Sequence, residues 1–174
     1  ASSEVNLYHL GQELGNTRIA EYSRQQGLGH RTGIDLLGER EGLVPDPEWS
    51  ERRRGTPWYP GETISVAIGQ GPVLVTPLQI ASLMASVATL GYQVTPHVAA
   101  GGSSVEKKQL PVEPWIFERI GEALWSVVND QRGTGSAARV PGIEVAGKTG
   151  TVQVVAQKTW IKSEDLPYEQ RDHG

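Results

Sequence analysis

The chain is 174 residues long, with a formal net charge of −4, 37% hydrophobic residues, 21 Gly and 11 Pro, which suits one loop-rich globular domain with a core. Its charge is spread without blocks and leaves no nucleic-acid footprint, and the lack of cysteine excludes disulfides and thiolate chemistry. No apolar run approaches the ~20 residues that cross a bilayer, so any anchoring or targeting segment is expected upstream of Ala1.

Ser3 reads as the N-cap of a helix over Glu4–Leu14, carrying Leu7, Leu10 and Leu14 and closed by Gly15. Asn16 then caps a second helix through Ile19 and Tyr22 that ends at Gly27. From Leu28 to Thr76 no period is sustained. Gly33-Ile34-Asp35-Leu36, Pro45-Asp46-Pro47 and Pro57-Trp58-Tyr59-Pro60-Gly61 punctuate what reads as a long loop, a feature commonly functional in compact domains. Within it, Arg52-Arg53-Arg54 reads as a solvated loop.

Thr76-Pro77-Leu78-Gln79 is a capping box with Pro at the first helical position. The helix Thr76–Leu90 bears Leu83, Met84, Val87 and Leu90, is nearly apolar all round, and is expected to be the most buried. A turn at Gly101-Gly102-Ser103-Ser104 follows. Glu113-Pro114 opens a further helix near Trp115–Val128, with Ile116, Ile120, Leu124, Val127 and Val128 on the 3.6-residue period. Gly133-Thr134-Gly135 breaks it, a strand is expected at Val152–Val155, and the tail from Lys162 to Gly174 is polar and aperiodic.

Gly147-Lys148-Thr149-Gly150-Thr151, entering that strand, carries the most chemistry. An accessible strand there could offer a cation, hydroxyls and unpaired amides to an anionic acyl substrate. The Thr149 and Thr151 hydroxyls could hold a carboxylate, Lys148 supplies positive potential, and the Thr151 N–H could be an oxyanion donor. The bland reading is a solvated lysine on a strand edge beside two threonines that merely favour β structure.

The same residues complete G-x-x-x-x-G-K-[ST] from Gly142 to Thr149. A phosphate loop needs a buried strand before it and a helix opening at the Lys-Thr. Here Arg139-Val140-Pro141 is a turn signal and Val152-Gln153-Val154-Val155 alternates like a strand, so the phosphate-loop reading is rejected.

Acyl transfer also needs a nucleophile. Ser104-Val105-Glu106-Lys107 is the single Ser-x-x-Lys, but it lies in a charged turn where Lys107 stays protonated, and we read it as a decoy. Ser2-Ser3-Glu4 taken by itself is a helix cap. His9, His30, His97 and His173 are scattered without metal spacing, and no metal or cofactor is expected. Asp172-His173 is a weak match to a Ser-His-Asp arrangement, because neighbours on a strand face opposite ways.

Taken together, these segments resemble the penicillin-binding protein 2 family of class B peptidoglycan D,D-transpeptidases, of which Lys-Thr-Gly is a signature element. The ordered set carries the likeness: Gly33-Ile34-Asp35-Leu36, Gly42-Leu43-Val44-Pro45, Trp58-Tyr59-Pro60-Gly61-Glu62-Thr63, Ile68-Gly69-Gln70-Gly71, Thr76-Pro77-Leu78-Gln79 and Lys148-Thr149-Gly150-Thr151. The resemblance implies an α/β (α+β) fold of the serine β-lactamase and D,D-peptidase type, with helices on an antiparallel sheet. Residues 1–174 would be part of one transpeptidase domain, without the upstream Ser-x-x-Lys helix and the C-terminal strands and helix.

By the same resemblance, Lys148, Thr149, Gly150 and Thr151 bind the carboxylate of a D-Ala-D-Ala stem peptide or of a β-lactam. Ser2 would be the relay serine of a Ser-x-Asn/Asp motif, from which Glu4 departs by one methylene. The implied catalytic set is Ser2, Lys148 and Thr151. The implied setting is the periplasmic face of the bacterial inner membrane, among cell-elongation membrane proteins, and the 174 residues by themselves are expected to be inactive. Alternatives are a non-catalytic β-lactam- or partner-binding module and a serine β-lactamase.

Overall fold

A computed structural model describes residues 4–99 and 107–150. Ser2, Ser3, the 101–104 turn, Thr151, the expected strand Val152–Val155 and the tail lie outside the described residues. The described residues form two compact units, a first up to Gly121 and a second from Glu122.

The first unit opens with α1 (Glu4–Gln25), which bends at Gly15, where φ is 72° and ψ is 157°. Two helices meeting at Gly15 are what the sequence implied, since glycine takes that backbone conformation at little steric cost. Asn16 is buried after the bend, but its Nδ2 donates to the Pro45 carbonyl at 2.9 Å instead of capping the helix. Gly11 lets α1 come close to α3 (Pro60–Ala67): a Cβ there would lie 2.5 Å from that of Ala67.

The stretch read as a long loop contains two helices, α2 (Pro47–Arg54) and α3. Each begins with proline at its first turn. The two prolines are starts rather than breaks, because a first-turn residue needs no N–H partner. Asp46 caps α2 by accepting the Trp49 N–H at 2.6 Å, and Glu62 accepts the Tyr59 N–H at 2.9 Å to open α3. Arg54, read as loop, closes α2 and ties the two helices together. It lies 5.2 Å from the Trp49 ring and 5.7 Å from the Trp58 ring, bonds Ser50 Oγ, and pairs with Glu62.

The capping box forms as expected at α4 (Pro77–Ala88), with Thr76 Oγ1 accepting the Gln79 N–H at 3.1 Å and Gln79 Oε1 accepting the Thr76 N–H at 3.0 Å. The expectation that this helix is the most buried is corrected. Its buried residues are the polar Gln79 and Ser86, whereas Leu83, Met84 and Val87 are half-buried and Ile80 is 41% exposed. An apolar stripe reports a helix's own hydrophobicity, not how much surface covers it. What α4 buries is a polar tie: Gln79 Nε2 donates to the carbonyls of His30 and Glu41 at 2.5 and 2.8 Å. Gly42 lies beside it at φ 69°, where a Cβ would come within 2.4 Å of the Leu74 carbonyl.

After α4, β1 (Tyr92–Val94) pairs antiparallel with β2 (Lys107–Gln109), Tyr92 opposite Gln109. Leu110 and Phe117 are buried, and Phe117, which the sequence periodicity passed over, covers Gly91. Helix α5 (Pro114–Asn129) confirms the expected helix and continues into the second unit.

Several carboxylates of the first unit sit below the usual range. The Ala99 and Val98 N–H groups lower Asp35, and the Arg54 bond lowers Glu62. Burial pushes Asp46 upward, but the Trp49 N–H and Arg24 outweigh it and the net shift is downward. A carboxylate whose folded pKa lies below its unfolded value adds stability above roughly pH 4, and that contribution is lost as pH falls through the folded value. The urea midpoint is therefore expected to hold near neutrality and to drop below about pH 4. A midpoint unchanged down to pH ~2 would exclude these carboxylates as a source of stability.

Candidate active-site segment at the end of helix α5

Lys148 and its neighbours are placed by the C-terminal end of α5, where the last carbonyls of the helix lack intrahelical partners. The Gly133 N–H bonds the Asp130 carbonyl at 3.0 Å and the Gly135 N–H bonds that of Val127 at 2.9 Å. A Cβ on Gly133 would sit 2.2 Å from the Val127 oxygen, so the turn passes too close to the helix for any other residue. Arg139 completes the cap: its Nε donates to Val128 O at 2.6 Å and its Nη2 to Asn129 O and Asp130 O at 3.0 and 2.7 Å. A guanidinium there also opposes the negative end of the helix dipole.

The chain then turns through Gly142, at φ 78°, closes an antiparallel bridge between Val140 and Ile143, and runs back along α5. Asn129 Nδ2 holds the Val145 carbonyl at 2.9 Å, and the Gly147 N–H donates to Leu124 O at 3.1 Å. No helix opens at Lys148-Thr149-Gly150, and an isolated bridge and turn stand where a phosphate loop needs its strand. The described part of this motif thus supports rejecting the phosphate loop.

Lys148, Thr149 and Gly150 are all exposed. The Lys148 ammonium donates to the Thr149 carbonyl at 2.7 Å and approaches Thr149 Oγ1 at 3.4 Å. Thr149 Oγ1 lies 3.2 Å from Thr134 Oγ1. The segment therefore presents one cation with one hydroxyl beside it, an arrangement able to receive a carboxylate by charge-assisted hydrogen bonds.

Of the residues singled out in the sequence, Lys148, Thr149 and Gly150 fall together here, while Ser2 and Thr151 lie outside the described residues. The Ser-x-x-Lys decoy has its Lys107 exposed at the start of β2 rather than on an apolar helix; Ser104 is not described. His9, His30 and His97 are exposed, and among the described residues no group of three or more His, Cys, Asp or Glu gathers. Sequence reasoning missed Thr134, Asn129 and Arg139. The available signal was the threonine between Gly133 and Gly135, since a helix break requires no hydroxyl.

Comparison with known proteins accords with this geometry. The peptidoglycan D,D-transpeptidase MrdA of Acinetobacter baumannii is 39% identical over 187 residues, covering 99% of this chain and 27% of that protein. The MrdA of Escherichia coli K12 is 34% identical over 170 residues, covering 90% of this chain and 26% of that protein. Among solved structures, the Helicobacter pylori complex of penicillin-binding protein PBP2 with MreC aligns at TM-score 0.85 and 32% identity, over 97% of this chain and 30% of the other. Pseudomonas aeruginosa PBP2 in complex with WCK 5153 aligns at TM-score 0.77 and 34% identity, over 87% and 36%. The chain spans about a quarter of the length of these curated relatives. Residues 1–165 match the penicillin binding protein transpeptidase domain, and the chain belongs to that family.

Proposed function

We propose that the full-length protein carrying this chain is a serine D,D-transpeptidase that cross-links peptidoglycan in bacterial cell-wall synthesis and is acylated by penicillins. A serine of an upstream Ser-x-x-Lys motif attacks the penultimate D-alanine carbonyl of a donor stem peptide, expels D-alanine, and passes the acyl group to an acceptor amine. Residues 1–174 are part of that single transpeptidase domain. The observation that carries the site is the exposed Lys148 ammonium beside Thr149 Oγ1, on a segment fastened to the end of α5.

In this reading the terminal carboxylate of the stem peptide, or that of a β-lactam, is held by Lys148 and the Thr149 and Thr151 hydroxyls. The Thr151 N–H supplies one oxyanion donor and Ser2 relays a proton. The chemistry is acid–base and nucleophilic throughout and calls on no metal or cofactor. By analogy with the MrdA relatives and the PBP2–MreC complex, we place the domain on the periplasmic face of the inner membrane, next to cell-elongation membrane proteins.

Lys148→Ala in the full-length protein tests the site. Losing a charge-assisted bond to the carboxylate should slow acylation by a fluorescent penicillin roughly 10- to 100-fold. The melting temperature should barely move, because the side chain is exposed and, among the described residues, bonds its own neighbour Thr149. Acylation at the normal rate would overturn the reading, and an equal loss of stability would make Lys148 a structural residue.

A further inference from the structure

We propose that Thr134 is a positioning residue that sets the direction in which the Thr149 hydroxyl donates. The inference rests on the reading of Lys148 and Thr149 as the carboxylate grip.

The two threonines are held very differently. Thr134 stands between Gly133 and Gly135, whose backbones are each bonded to the end of α5. Gly133 has no room for a side chain, because a Cβ there would strike Val127 O, and at Gly135 a Cβ would be tight, 3.2 to 3.3 Å from Val127 and Val128. Thr149 belongs instead to a segment without regular secondary structure. Of the pair, Thr134 is the fixed member.

Their 3.2 Å contact leaves open which oxygen donates. Each hydroxyl has one proton and two lone pairs, and a carboxylate only accepts. Once a carboxylate arrives, the Thr149 proton goes to it. The contact between the threonines then survives only with Thr134 donating to Thr149 Oγ1. Lys148 approaches the same oxygen from its own side, as a donor without acceptor capacity. Thr149 Oγ1 thus accepts from two directions and is left with its proton aimed outward. Hydroxyls linked in this way polarise one another, which strengthens the outward donation.

The test uses the full-length protein with Thr134→Val, Thr134→Ser, Thr149→Val and the Thr134→Val/Thr149→Val double variant. Acylation is followed with a thioester substrate bearing a free carboxylate and with its carboxamide counterpart. Thr134→Val should slow the carboxylate substrate about threefold to tenfold, mainly through KM, as expected for loss of one neutral hydrogen bond. The carboxamide rate should hardly change, Thr134→Ser should restore the carboxylate rate, and the double variant should be no slower than Thr149→Val.

Equal slowing of both substrates, or fully additive effects of the two substitutions, would overturn the positioning role. Normal acylation by Thr149→Val would instead overturn the carboxylate grip itself, and the inference with it. A lowered melting temperature in Thr134→Val that Thr134→Ser shares would mark the residue as structural.

Discussion

Gln79→Ala is expected to destabilise the protein by about 2–4 kcal/mol, measured as a drop in urea midpoint with little change in m-value. The Gln79 side chain is 1% exposed, and both ends of its amide are engaged. It donates to the His30 and Glu41 carbonyls and accepts from the Thr76 N–H. Truncation leaves two part-buried carbonyls and one part-buried N–H without the partner that now joins them, and each group that water does not re-pair carries a desolvation penalty of its own. Gln79→Met keeps the volume and should recover only the packing share of the loss. Gln79→Glu should do at least as badly near neutral pH, because a carboxylate would face two carbonyl oxygens. A Gln79→Ala protein within about 0.5 kcal/mol of wild type, the span ordinary for surface changes, would show that the amide is dispensable.

The second large effect belongs to the chemistry. In the full-length protein Thr151→Pro should slow acylation at least ~10²- to 10³-fold, the usual consequence of losing one oxyanion donor. If Thr151 pairs as the sequence pattern predicts, proline would add damage by removing a ladder hydrogen bond. Thr151→Ala keeps the N–H and should slow acylation only modestly. A folded Thr151→Pro protein that acylates at the normal rate would place the donor elsewhere. If Thr151→Ala proves as severe as the proline change, the hydroxyl carries the role, with carboxylate binding as its task. Both variants are read against Lys148→Ala in one assay, so the cation and the donor are apportioned separately.

Features written in local chemistry were legible in the sequence. Thr76 and Gln79 satisfy each other across three residues, Gly15 marks a bend by its backbone freedom, and Ile116 to Val128 repeat on a helical period. Lys148 and Thr149 were found because the motif names them. What escaped depends on partners distant in the chain. Pro47 and Pro60 read equally as loop residues until the Asp46 and Glu62 carboxylates beside them are seen accepting N–H groups. The burial of Gln79 is decided by carbonyls 38 and 49 residues away, which no periodicity records. Thr134 was hidden by a sufficient explanation, since two glycines already account for the end of α5.

The run Arg52-Arg53-Arg54 shows how unequal three identical letters can be under mutation. Arg52 makes a loose 3.4 Å pair with Glu48 on an exposed face, and Arg53 is exposed. Lysine should replace either without consequence. Arg54 is bracketed by two indoles, shares Ser50 Oγ through Nε and Nη2, and reaches Glu62 with Nη1. A single ammonium cannot span those partners at once, nor stack flat on a ring as a guanidinium does. Among functional variants of this protein, positions 52 and 53 should therefore drift freely between the two basic residues while position 54 stays arginine.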